Sequence, residues 1–111
     1  MLIKIFQIKF TEEIVKNNPY LITRLFYGVP KEEKEINLEK NFYEEVYNGY
    51  LRLADDVDIA LKQIFNIFNT NYPKGYKGHS LSVSDIVYVC GKYYVCQSVG
   101  WKEISIINES V

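Results

Sequence analysis

The sequence is short of the residues that usually announce a chemistry. Its 111 residues include one histidine and two cysteines. A metal centre needs three or four convergent His, Cys or carboxylate ligands, and a lone imidazole with two distant thiols does not supply them, so neither a metal nor another cofactor is expected. Charge of either sign is not in excess. Thirteen basic and 14 acidic residues leave a net charge of −1 and a pI near 5.8, which is neither the basic footprint of a backbone-binding nucleic-acid protein nor the acidic surface of a nucleic-acid mimic. No apolar run approaches the ~20 residues of a membrane-spanning helix. The opening MLIKIFQIKF mixes lysines into its apolar run and has no small-residue cleavage site. That is not the pattern of a secretory signal, and the expected compartment is the cytoplasm.

What is present is apolar and aromatic: 48% hydrophobic residues, 10 tyrosines and 6 phenylalanines. Length and composition are those of one folded domain spanning residues 1–111. LIKIFQIKF sets Leu2, Lys4 and Phe6 opposite Ile3, Ile5 and Gln7, the two-residue period of a strand. A Thr11 cap opens a short N-terminal helical region, interrupted at Pro19 and ended by Gly28, in which Leu21, Ile22, Leu25 and Phe26 are candidates for burial. Residues 29–41 are the most polar stretch and read as an exposed connection. In FYEEVYNGYLRL the Asn48-Gly49 pair suggests a strand broken by a turn or bulge. Val57, Ala60, Leu61, Ile64, Phe65 and Phe68 then fall on one face of a long amphipathic helix over about 55–70. Asp55, Asp56 and Asp58 sit at its start, where capping and the helix dipole favour negative charge.

The terminal DIVYVCGKYYVCQSVGWKEISII reads as a β-hairpin turning at Gly91-Lys92. That register sets Ile86, Tyr88, Cys90, Tyr93, Val95, Val99 and Trp101 on one side and Val87, Val89, Tyr94 and Cys96 on the other. The two sulfurs then lie on opposite faces, and two free thiols are expected. Both faces of the hairpin are apolar, so the sheet needs two covers. Helices supply one; the other is a curled sheet, a loop or another molecule, which leaves a homodimer open. The fold class is therefore α+β: a small, mostly antiparallel sheet, one long amphipathic helix, a shorter N-terminal helix and a C-terminal β-hairpin.

KGYKGHSLSVSDIVYV gathers His79, Ser80, Ser82, Ser84 and Asp85 within seven residues, the ingredients of a Ser-His-Asp hydrolase. Such a group works only if the base touches the nucleophile and the acid touches the base. In extended backbone leading into a strand, the serines point one way while His79 and Asp85 point the other, so no catalytic residue is expected. The nucleophile-elbow glycines and a phosphate-cradling loop are also missing. Lys74, Tyr76 and Lys77 beside Tyr72, and Lys92, Tyr93 and Tyr94 at the hairpin tip, interleave charge with stacking rings. Two or three lysines in an acidic protein are too few, and nucleic acid is disfavoured as a partner.

The runs FNTNYPKGYKGHSLSVSDIVYV and GKYYVCQSVGWKEI, with VYNGYL before them, resemble the YodL-like domain family over roughly Phe42 to Ile104. The resemblance rests on a helix ending in Phe-Asn, a Pro-Gly loop, a Ser-x-Ser-x-Ser-Asp run and a Tyr-Tyr-Val hairpin. It implies a small bacterial, phage or conjugative-element protein with no enzymatic activity to carry over. His79 stands where the family also accepts Arg, Cys96 where it often has an acid, and Trp101 where Phe is usual.

The expected function is a non-enzymatic bacterial or mobile-element module that binds a protein, a host protein in the first instance. A specific version by analogy is a counter-defence inhibitor of restriction or CRISPR machinery. The expected binding residues are Tyr88, Tyr93 and Trp101 on the hairpin with His79, Ser80, Ser82, Ser84 and Asp85 of the neighbouring loop. The alternative is an enzyme or nucleic-acid-acting domain that uses the His79, Ser80 and Asp85 loop.

Overall fold

In the computed structural model, which describes residues 1–109, the chain forms a mixed α+β fold of six strands and three helices. The strands are β1 (Leu2–Ile8), β2 (Glu35–Asn37), β3 (Tyr43–Tyr50), β4 (Ile86–Val89), β5 (Lys92–Cys96) and β6 (Trp101–Ile107). The helices are α1 (Glu12–Asn17), α2 (Tyr20–Tyr27) and α3 (Val57–Thr70). The sheet order is β2-β6-β5-β4-β1-β3. Every neighbouring pair is antiparallel except β2 with β6.

The expectation that both sheet faces are apolar holds, and the chain supplies both covers. On one face Ile3, Ile5, Tyr47, Val87 and Val89 meet Ala60, Leu61, Ile64 and Phe68 of α3. Each fully buried large side chain contributes about 1.5–3 kcal/mol, so this helix stripe is a principal source of stability. Asp56 caps the helix by accepting the Ile59 N–H at 3.0 Å. Phe65 lies at the margin of the stripe and is 41% exposed, against the expectation that it would be covered.

On the other face Phe6, Ile8, Tyr43, Ile86, Val95 and Ile104 meet Leu21 of α2 with Val29, Ile36 and Leu38. The 29–41 stretch is thus not merely an exposed connection. Its lysines and most of its glutamates stay in water while Val29, Ile36 and Leu38 reach the core, and its middle forms β2 beside β6. Lys102 of β6 fastens it by donating to the carbonyls of Pro30, Lys31 and Glu33. In α2 only Leu21 is buried; Ile22 and Phe26, expected inside, are 43% and 66% exposed. The two residues fall on the far side of a helix that sheds one face to solvent.

Two details of register differ from the sequence reading. The bulge of β3 is not at Asn48-Gly49: Ile5 pairs with Tyr47 and Phe6 with Glu45, which leaves Val46 as the extra residue. Gly49 serves instead to seat the Tyr47 ring, whose hydroxyl would lie 2.6 Å from a Cβ there. The terminal segment is a three-stranded meander. Its first turn is Cys90-Gly91 rather than Gly91-Lys92, because Val89 pairs with Lys92 and Tyr88 with Tyr93. Both turn residues have positive φ, 54° and 78°, as a two-residue type I′ turn requires.

Candidate functional site

The segment expected to be an extended strand entrance is a turn. The Asp85 N–H donates to the Ser82 carbonyl at 3.1 Å, and Ser84 between them has φ 82°, a left-handed value that a type II turn needs at its third position. Over Ser82 to Asp85 this corrects the premise that the polar side chains of the segment splay to alternate sides of straight backbone. The cause is a side chain: Asp85 Oδ2 accepts the Ser82 N–H at 2.8 Å and so bends the chain back on itself. The strain at Ser84 is held by its neighbours. Its N–H donates to the Cys96 carbonyl at 2.8 Å, and its own carbonyl accepts the Tyr43 hydroxyl at 2.5 Å.

Gln7 is the centre of the polar cluster, and the sequence reading gave it no role. Its amide nitrogen lies 2.9 Å from Asp85 Oδ2, 3.0 Å from the His79 carbonyl and 2.9 Å from the Tyr76 hydroxyl. Its amide oxygen accepts the His79 N–H at 3.1 Å. One buried amide on β1 thereby ties down the 76–79 loop and the 82–85 turn together. The signal was in the sequence: Gln7 occupies the strand face that also carries Ile3 and Ile5, and an amide there must find partners. Gly78 is part of the same fit, because a Cβ at that position would lie 2.1 Å from Gln7 Oε1.

Asp85 is fully buried. Burial lifts its carboxyl from 3.8 to about 7, against the opposing effects of the Ser82 N–H, the His79 ring and Gln7. Asp85 Oδ1 and Ser84 Oγ have no hydrogen-bond partner. A carboxyl with a near-neutral pKa resembles a general acid. Its surroundings do not complete a catalytic group. The His79 imidazole is exposed, and its Nδ1 lies 2.7 Å from the Ser80 main-chain carbonyl, not from a serine hydroxyl. The Ser80 hydroxyl pairs with the Tyr72 hydroxyl at 3.1 Å. Beside the cluster lies a cleft of about 370 Å³ lined by residues including Gln7, Lys9, Phe10, Glu44, Lys77 and His79, but Asp85 does not line it.

The rings of the same loop pack on one another and on α3, with Tyr72 half exposed at the outer end of the stack. Tyr76 stands edge-on to Phe68 at 4.9 Å, Phe68 to Tyr47 at 5.0 Å, and Tyr72 lies 5.2 Å from Tyr76. Burial raises the Tyr76 hydroxyl to about 12.

A model of the YodL-like domain family matches residues 3–106. The chain belongs to that family. No curated protein and no solved structure matches it. In this YodL-like domain the three aromatic residues expected to form one surface are divided between the two sheet faces. Trp101 pairs with Cys96, which sets it on the α3 face with Tyr94. Tyr88 and Tyr93 lie on the opposite face with ring centroids 4.9 Å apart. The tyrosine pair is already engaged. Lys4 Nζ lies 5.4 Å over the Tyr88 ring and 2.8 Å from Glu109, and Phe6 lies 6.2 Å from Tyr93.

Trp101 has a different setting. With Phe65 of α3 it lines a groove of about 310 Å³ completed by Lys62, Cys96, Gln97, Ser98 and Gly100. Val99, on the same loop between β5 and β6, is 90% exposed. Both cysteines are free thiols. Burial pushes Cys96 up to about 11, which makes it a packing group rather than a nucleophile. Among the described residues no three His, Cys, Asp or Glu side chains group as metal ligands, and no helix is long and apolar enough to cross a membrane.

Proposed function

We propose that this YodL-like domain is a non-enzymatic protein-interaction module that takes its partner at the Trp101–Phe65 groove. The observation that carries the reading is the contrast between the two candidate sites. Gln7, Tyr76, His79 and Ser80 around Asp85 spend their polar side-chain atoms on one another, on Asp85, on Tyr72 and on the backbone, whereas Phe65 and Val99 stand exposed beside a half-buried Trp101. Aromatic anchors lining a concave, partly desolvated surface are the usual centre of a productive contact. Lys62 is the one charged side chain in the lining, so the favoured partner is a protein segment that presents an apolar side chain beside a carboxylate. Inhibition of a host restriction or CRISPR protein is a narrower form of the same reading and would use the same surface.

Affinity capture with the wild-type chain, Phe65→Ala and Lys62→Glu tests it. Phe65 is exposed enough for its truncation to spare the fold. A bound protein retained stoichiometrically by the wild type and lost from both variants, with unchanged melting temperatures, supports the reading. Equal retention by all three chains contradicts it.

A further inference from the structure

One edge of the sheet is open over a short, well-bounded run. Met1 and Leu51 exchange both of their backbone hydrogen bonds, at 3.0 and 2.9 Å. In an antiparallel ladder, bonded and non-bonded pairs alternate, so Asn48 (opposite Lys4) and Tyr50 (opposite Leu2) turn their N–H and C=O groups away from β1. Among the described residues these outward groups have no backbone partner. Upstream the edge is closed, because the Lys77 N–H donates to the Val46 carbonyl at 3.0 Å. Downstream the chain leaves the sheet, and the Ala54 N–H donates to Gln63 of α3 at 2.9 Å. What remains is the run Asn48 to Arg52, with Tyr50 78% exposed. The edge at β2 is only three residues long and offers no comparable template.

We propose that this run pairs with the same run of a second copy, antiparallel about a two-fold axis at Tyr50. Tyr50 then faces Tyr50 of the second copy, and Asn48 faces Arg52 of the second copy. The charges flanking the run select this occupant and this direction. At the upstream end Lys74 and Lys77 of the closing loop outnumber Glu45, while at the downstream end Asp55 and Asp56 outnumber Arg52. Antiparallel pairing brings each lysine end to the other copy's aspartate end; parallel pairing would set like charges together. The contact is isologous and closes at two copies, so it consumes the edge instead of propagating it.

Sedimentation equilibrium over a range of concentrations tests the assembly. The wild type is expected to be a concentration-dependent dimer and Tyr50→Pro a monomer. Proline removes the outward N–H, while the bonds to β1 are made by the adjacent residues, and Gly49 before it tolerates the ring. A second route does not depend on the proline variant folding. Lys77→Glu is expected to weaken association at least tenfold, and adding Asp55→Lys to restore it. A wild type that is monomeric at the highest concentration reached overturns the proposal, as does a dimer insensitive to Tyr50→Pro and to the charge reversals.

Discussion

Asp85 decides the character of the polar segment. Its carboxylate takes two donors on one oxygen and none on the other, and burial holds its pKa near 7. The folded protein therefore binds this proton more tightly than the unfolded chain does. The associated stability is fully present below the unfolded value near 4 and is lost as the pH rises through about 7. Asp85→Asn keeps an acceptor for Gln7 and Ser82 but cannot ionise. Urea unfolding is expected to show that this variant has lost the decline in stability between about pH 4 and 7, and that at pH 8 it is no less stable than the wild type; an unchanged slope would assign the titration elsewhere. Gly78 makes the complementary test. A methyl group there collides with the Gln7 amide, so Gly78→Ala is expected to cost about 1–3 kcal/mol in the same measurement. The sequence displayed Asp85 and the serines but not their arrangement. The partner that organises them, Gln7, is 78 residues away, and the left-handed Ser84 carries no glycine to announce its turn.

At the scale of elements, legibility followed periodicity. The helix α3 was readable because its apolar spacing, its Asp56 cap and Pro73 beyond its end all agree, and β1 because its initial alternation and its branched and aromatic residues agree. Short elements without a period were not. The strand β2 is held by pairing with β6 and by Lys102, contacts that lie some seventy residues apart in the chain and leave no local pattern. The hairpin turn was misplaced by one residue because Gly91 can open or close a two-residue loop. Closing it puts Cys90 at φ 54°, a position that asparagine fills better than cysteine. Cys90→Asn is accordingly expected to raise the melting temperature by the equivalent of about 0.5–1 kcal/mol; a loss of stability would mean that the thiol contributes more than its backbone conformation costs. The misplaced turn left the faces of Ile86, Tyr88, Tyr93 and Val95 correct, since the pairing shifted by a whole side-chain period. Trp101 came out on the wrong face because the loop through Gly100 resets the alternation before β6.

At the scale of the molecule, one chain covers both faces of its own sheet, with α3 on one side and α2 with the 29–41 segment on the other. The apolar surface left over is therefore a candidate for contact with other molecules rather than an unfinished core. It falls in separate places: the groove at Trp101 and Phe65, the outer side of α2 at Phe26 and Tyr27, and the β3 edge at Tyr50. The alternation of the terminal hairpin foretold the two apolar faces. It gave no indication of which aromatic residues would remain outside, because that depends on the curvature of the sheet and on helix placement. On the proposed reading the Gln7–Asp85 cluster is architecture and the Trp101–Phe65 groove is the binding surface. The most direct measurement is calorimetric titration of the captured, purified partner with Phe65→Ala and His79→Ala side by side. Affinity is expected to fall at least tenfold, about 1.4 kcal/mol, for Phe65→Ala and to stay at the wild-type value for His79→Ala. Full affinity in Phe65→Ala together with a loss in His79→Ala would contradict the account and return the polar loop to the centre of the function.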